Sequence, residues 1–132
     1  MLATIYGAQA QTARYDVYAI RFASATHPFP ISDWADKGPK TDSVSIDFMV
    51  WLVKGAGKNI LVDAGFLKDI PEGKDFEIVN YTRPDSALAK VTLKPEDITD
   101  IILTHPHWTT LTALGYSQKP ISGSKRTIMA IL

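Results

Sequence analysis

Three branched apolar residues, Ile101, Ile102 and Leu103, follow the polar pair Thr99-Asp100 and run into Thr104-His105-Pro106-His107-Trp108. A short, wholly apolar run of this kind reads as a strand buried on both faces, and the rest of the chain is organised around it. Pro106 cannot donate to a strand ladder, so the strand ends at about Thr104 and the histidines lie on the loop that leaves it. The chain has only three histidines, His27, His105 and His107, and two of them fall here. In extended chain, residues i and i+2 point the same way, so both imidazoles can face one point. Two imidazoles on one side make half of a tetrahedral site for zinc or a similar first-row ion. Taken alone, H-x-H also fits a surface or hydrogen-bonded histidine pair. Its place at the carboxyl end of a buried strand favours the ligand reading, because open sheets commonly bind there.

A second apolar strand, Asn59 to Phe66 (N-I-L-V-D-A-G-F), ends in an acidic residue and a glycine. Before it, Ile46 to Lys54 is the most hydrophobic stretch and should be a central strand. Gly55-Ala56-Gly57-Lys58 supplies residues able to take positive φ and close a hairpin. Tyr15 to Ala23, aromatic and branched, reads as a further strand. Ser24 to Ser45, with Pro28, Pro30, Gly38 and Pro39, reads as a loop in which His27 is a surface residue. Trp34 in that loop is expected to pack, with a place at a substrate mouth as the alternative. Leu67 to Thr82 is charged and turn-rich and reads as a surface excursion. A short helix should start at Pro84-Asp85-Ser86, with Ala87, Leu88 and Val91 facing the sheet. One helical turn should follow over Thr92 to Ile98, where Glu96 and Asp97 complement its amino-terminal dipole.

Lysine plus arginine and aspartate plus glutamate both number 14, so no net charge draws the chain to nucleic acid or to an acidic membrane surface. The absence of cysteine removes disulfides, thiolate nucleophiles and thiolate ligands, leaving any metal to His, Asp and Glu. No run approaches the ~18 apolar residues of a membrane helix. Residues 1–14 are expected to be a frayed terminus or a signal remnant, the latter because Ala8-Gln9-Ala10 has the small-x-small form of a cleavage site. Localisation, cytoplasmic or exported, stays open.

Val62-Asp63-Ala64-Gly65 after a hairpin, followed by a helix, a strand and T-H-P-H-W, resembles the amino-terminal half of a metallo-β-lactamase-superfamily hydrolase. The opening Y-D-V-Y-A-I-R-F-A and the strand D-F-M-V-W-L-V are most similar to its N-acyl homoserine lactonase-like branch. The resemblance covers roughly residues 15–108. It implies an α+β fold, one mixed or antiparallel sheet with short helices, as half of an αβ/βα sandwich. It also implies hydrolysis of a lactone or a related ester or amide by a metal-activated water, with two zinc ions in the family. His105 and His107 match the first two members of the family motif H-x-H-x-D-H. Asp63 matches the strand-end aspartate, implying a structural role beneath the metal loop, with Gly65 and Thr104 beside it.

The motif breaks after His107. Thr109 and Thr110 stand where the family has Asp-His, and the remaining family ligands lie in downstream sequence that this chain does not contain. A catalytic zinc site normally needs three protein ligands plus water. No complete catalytic set is therefore expected, and at most one zinc, held weakly. Residues 109–132 are expected to be an aberrant tail. A single base restored after the Trp108 codon lets permitted codons read Asp-His in place of the two threonines, so a frame shift in the gene is one account of it. The expectation is a small-molecule hydrolase inactive as this chain. The alternatives are a non-catalytic fragment or binding module with weak metal affinity, and a damaged product that barely folds. Half of a sandwich would also leave an apolar sheet face uncovered, open to self-association.

Overall fold

The computed structural model describes residues 13–70, 74, 76–111 and 126–129. Among them lies a six-stranded mixed sheet. In chain order its strands are β1 (Tyr15–Ala25), β4 (Asp47–Gly55), β5 (Lys58–Val62), β6 (Ile78–Val79), β7 (Asp100–Leu103) and β8 (Arg126–Met129). A two-residue pair, β2 (Phe29–Pro30) and β3 (Ser43–Val44), forms a separate ribbon. The order across the main sheet is β6-β1-β4-β5-β7-β8, antiparallel as far as β5 and parallel from β5 to β8. The mixed α+β architecture read from the sequence is the one observed.

The β4–β5 hairpin turns on Ala56 and Gly57, at φ 49° and 72°. Two central residues with positive φ give a turn whose twist matches that of its strands. Gly55 does not share this role. It pairs with Tyr15 and Lys58 inside the ladder, and a Cβ there would fall 2.4 Å from the Arg14 carbonyl oxygen, so close approach selects the glycine.

The parallel β5–β7 pair needs a crossover. The chain supplies it through Leu67–Lys94, which carries a short helix α1 (Pro84–Ala87) and a 3-10 turn over Leu88–Val91. Pro84 sits at the first helical position, where its missing N–H costs nothing. Ala87 and Leu88 press on one face of the sheet, with Val91 packed at the margin, against Ile20, Phe22, Val50, Leu52, Leu61, Ile101 and Leu103. Each fully buried Val, Leu, Ile or Phe among them contributes about 1.5–3 kcal/mol of transfer free energy. The turn expected over Thr92 to Ile98 is a 3-10 turn at Pro95–Asp97, where Asp97 Oδ2 accepts the Lys94 N–H at 2.8 Å.

On the opposite face several large apolar side chains are exposed among the described residues, with Arg21 beside them. Val17 and Trp51 are 60% and 46% exposed, and Met49 lies open beside them. Two segments are more ordered than a plain loop reading allows. Ser24 to Ser45 holds the β2–β3 ribbon, and Leu67 to Thr82 returns to the sheet as β6 on the edge of β1. In both, the local signal of Pro, Gly and charge is outweighed by one or two apolar residues that find partners. The reading of residues 1–12, including Ala8-Gln9-Ala10, lies outside the described residues. Among the described residues no helix is long and apolar enough to cross a membrane.

Candidate metal centre

β5 and β7 end side by side, and their ends build the site. The Asp63 N–H donates to the Ile102 carbonyl at 2.8 Å, carrying the pairing one residue past β5. Asp63 then takes φ 61°, a left-handed conformation that aspartate tolerates better than most residues. Its carboxylate thereby meets the first turn after β7. Oδ1 accepts the Thr104 N–H at 2.9 Å, and the Thr104 hydroxyl lies 3.0 Å from both carboxylate oxygens. Gly65 at φ 74° completes the corner, where a Cβ would come within 2.8 Å of Pro84 and 3.0 Å of Phe22. Glycine is required there by conformation and by space together.

His105 and His107 leave this corner with their rings stacked, centroids 5.7 Å apart and planes at 25°. Each Nδ1 meets a hydroxyl: His105 that of Thr104 at 2.8 Å, His107 that of Thr109 at 2.9 Å. A single turn, α2 (Trp108–Leu111), follows. Thr110 is buried there, and its hydroxyl lies 2.7 Å from the His105 carbonyl and 2.8 Å from that of His107, sharing one proton between them. Its own carbonyl accepts the Ala64 N–H at 3.0 Å, so the histidine loop is tied to the Asp63 corner from both ends. Thr109 and Thr110 thus brace the loop.

A cleft of about 380 Å³ opens at this end of the sheet, lined by His105, His107, Asp63, Thr109 and Thr110 on one side and by Trp34, Ile46, Phe48, Met49 and Phe76 on the other. Ring contacts run outward from the core: Phe22 to Phe66 at 5.0 Å, Phe66 to Phe48 at 4.9 Å, Phe48 to Phe76 at 5.7 Å, Phe76 to Trp34 at 6.3 Å. Trp34 is 56% exposed and lines the cleft, and its ring packs against Phe29 and Phe76 at 6.1 and 6.3 Å, so the packing expected of it is present at the cleft wall. Trp34 and Phe76 come from segments whose composition reads as loop, and no periodicity marks them. Asp47 also lines the cleft, but the Ser24 hydroxyl at 2.7 Å, then Arg21 at 3.2 Å, engage its carboxylate and hold it below the usual carboxylate range. His27 stays at the surface, 3.5 Å from Glu77.

Two imidazoles are half of what a tetrahedral ion asks for. Among the described residues, no group of three or more His, Cys, Asp and Glu side chains is placed to hold a metal ion. The nearby carboxylates of Asp63 and Asp47 are engaged in bracing contacts. The described donor set therefore does not complete a catalytic zinc centre.

Residues 49–108, the span from β4 through the histidine loop, match the model of the Metallo-beta-lactamase superfamily. The fold is a metallo-β-lactamase-like fragment. Among solved structures, a B. thuringiensis AiiA variant with N-decanoyl-L-homoserine bound at its active site is similar at TM-score 0.60 and 20% identity, over 83% of this chain and 47% of that one. AidC, a dizinc quorum-quenching lactonase in complex with its product, is similar at TM-score 0.54 and 18% identity, over 89% and 41%. A probable metal-dependent hydrolase from Staphylococcus aureus is similar at TM-score 0.54 and 17% identity, over 76% and 40%. The chain thus spans less than half the length of each of these structures. Comparison with curated protein sequences finds no match.

Proposed function

We propose that this chain is the amino-terminal part of a metal-dependent hydrolase domain of the metallo-β-lactamase superfamily, acting as a whole on a lactone or a related ester or amide. The 132 residues by themselves carry an incomplete centre and are inactive. The observation that carries this reading is the stacked histidine pair at the end of β7, held by Asp63 through Thr104 and facing an aromatic cleft. His105 and His107 would supply two ligands to one zinc ion. Phe48, Phe76 and Trp34 form an apolar wall suited to the non-polar part of a substrate such as an acyl homoserine lactone.

A second reading is favoured by the two threonines. Because Thr109 and Thr110 are spent on bracing the loop, the chain acts as a non-catalytic fragment with weak metal affinity. Metal analysis of the purified chain, with an assay on an N-acyl homoserine lactone, tests both readings against an active dinuclear enzyme. At most one weakly held zinc, lost in His105→Ala, and no turnover is the expected result. Two zinc ions per chain with turnover would overturn the claim of inactivity. No zinc at all, in wild type as in the variant, would remove the metal reading altogether.

The same proposal takes residues 109–132 as out of frame with the domain. If no single base added after the Trp108 codon of the gene yields Asp-His, that part is wrong. It also takes the uncovered sheet face as a surface for self-association.

A further inference from the structure

We propose that Glu77 is the positioning residue of the aromatic cleft wall: held in a left-handed conformation by Thr26, it fixes Phe76 against Phe29 and Phe48. The two sides of that wall are built differently. Trp34 is fixed inside its own loop, where the Ile31 carbonyl accepts the N–H groups of Trp34 and Ala35 at 3.0 and 2.9 Å. Gly38 closes that loop so tightly that a Cβ on it would fall 2.8 Å from Ile31 Cγ2. Phe76 is held instead from across the sheet edge, by the end of β1 and the residues after it.

β6 pairs with β1, Ser24 beside Val79 and Ala25 beside Ile78, and the same register brings Thr26 to Glu77. There the ladder stops. Glu77 takes φ 45°, without the short polar side chain that eases this conformation for Asn or Asp. Its backbone is gripped on both sides: the Thr26 hydroxyl donates to its carbonyl, and its N–H donates to the Lys74 carbonyl at 3.1 Å. The carboxylate, 3.5 Å from His27 Nδ1, adds a third contact. A strained backbone of this kind persists only where its surroundings impose it. The consequence lies one residue back. The Phe76 ring lands 5.4 Å from Phe29 and 5.7 Å from Phe48, and Phe29 in turn meets His27 at 4.8 Å. Thr26 and Glu77 lie outside the cleft lining, yet they set a ring that forms it. This placement is a property of the chain alone; its value for holding an apolar group rests on the function proposed above.

Nuclear Overhauser contacts among the Phe76, Phe29 and Phe48 rings of the full chain test it directly. They should be present in wild type. Glu77→Gly, which adopts the same φ freely, and Thr26→Ser, which keeps the hydroxyl, should retain them. They should be lost in Glu77→Val, whose branched Cβ resists a left-handed backbone, and in Thr26→Val, which keeps the shape without the donor. The neutral apolar probe N-phenyl-1-naphthylamine should bind the two valine variants about 2- to 10-fold more weakly than wild type. Ring contacts that survive both valine variants, or that are missing from wild type or from Glu77→Gly, overturn the proposal. Amide fingerprint spectra report whether each variant folds, and Thr26→Ala replaces a valine variant that does not. A wild-type chain with the expected ring contacts and no probe binding would sink the apolar-ligand reading of the cleft while leaving this one standing.

Discussion

At the scale of single residues, the site depends on positions that look ordinary in the sequence. Gly65 is the clearest. Its φ of 74° penalises any side chain, and a Cβ would meet Pro84 and Phe22. Gly65→Ala should cost about 1–3 kcal/mol and shift the corner that carries Asp63, read as a lower urea midpoint. An unchanged midpoint would show that the corner relaxes freely. Asp85, buried in the first turn of α1, is a second case. Arg83 Nε donates to its Oδ1 at 2.7 Å, and the guanidinium holds its carboxyl below the usual aspartate range. A depressed folded-state pKa stabilises at neutral pH, and that contribution disappears as pH falls through the folded value. Asp85→Asn should therefore cost about 1–2 kcal/mol at pH 7, with the gap to wild type closing on acidification. A gap constant with pH would count against this account.

At the scale of elements, short hydrogen-bonded corners do what long helices do elsewhere. The histidine loop spans seven residues, 104–110, and is held by Asp63 at its start and by Thr110 at its end. Two imidazoles are thus oriented by a loop without a regular element longer than one turn. The β4–β5 hairpin shows the opposite economy. Ala56 occupies a left-handed position at φ 49°, where an L-residue with a Cβ is strained by about 1 kcal/mol. Ala56→Gly should raise the thermal midpoint by a few degrees, measured by calorimetry, or leave it level if the added chain entropy of glycine cancels the relief. A clear drop would mean that the turn is not under strain.

At the scale of the whole molecule, one face of the sheet is buried under α1 and the turn after it, and the other exposes large apolar side chains among the described residues. Val17, Met49 and Trp51 lie on that face, close enough together to form one patch. Patches of this kind on a soluble chain mark an interaction surface or an aggregation hazard. The expected behaviour is concentration-dependent association in sedimentation velocity, weakened in Trp51→Glu. A wild-type chain monomeric at every concentration would refute the self-association proposal.

Some of this was legible from residues alone. Ile101–Leu103, Asn59–Val62 and Asp47–Lys54 are dense runs of strand formers, and a run that apolar has few alternatives to a sheet interior. The i, i+2 spacing of His105 and His107 gave the expectation of two rings on one side of extended chain; the rings do lie together, but on a bent loop in which the His107 N–H donates to the His105 carbonyl at 3.0 Å. What only the tertiary structure decided depends on contacts distant in sequence. Asp63 reaches Thr104 across 41 positions, Trp34 joins Phe76 in one wall, and Thr110 turns from a missing ligand into a brace. Periodicity encodes which way a side chain points from its own strand. Which neighbour it meets is set by the packing of separate segments, and hydrogen bonds and ring contacts form only once that packing exists.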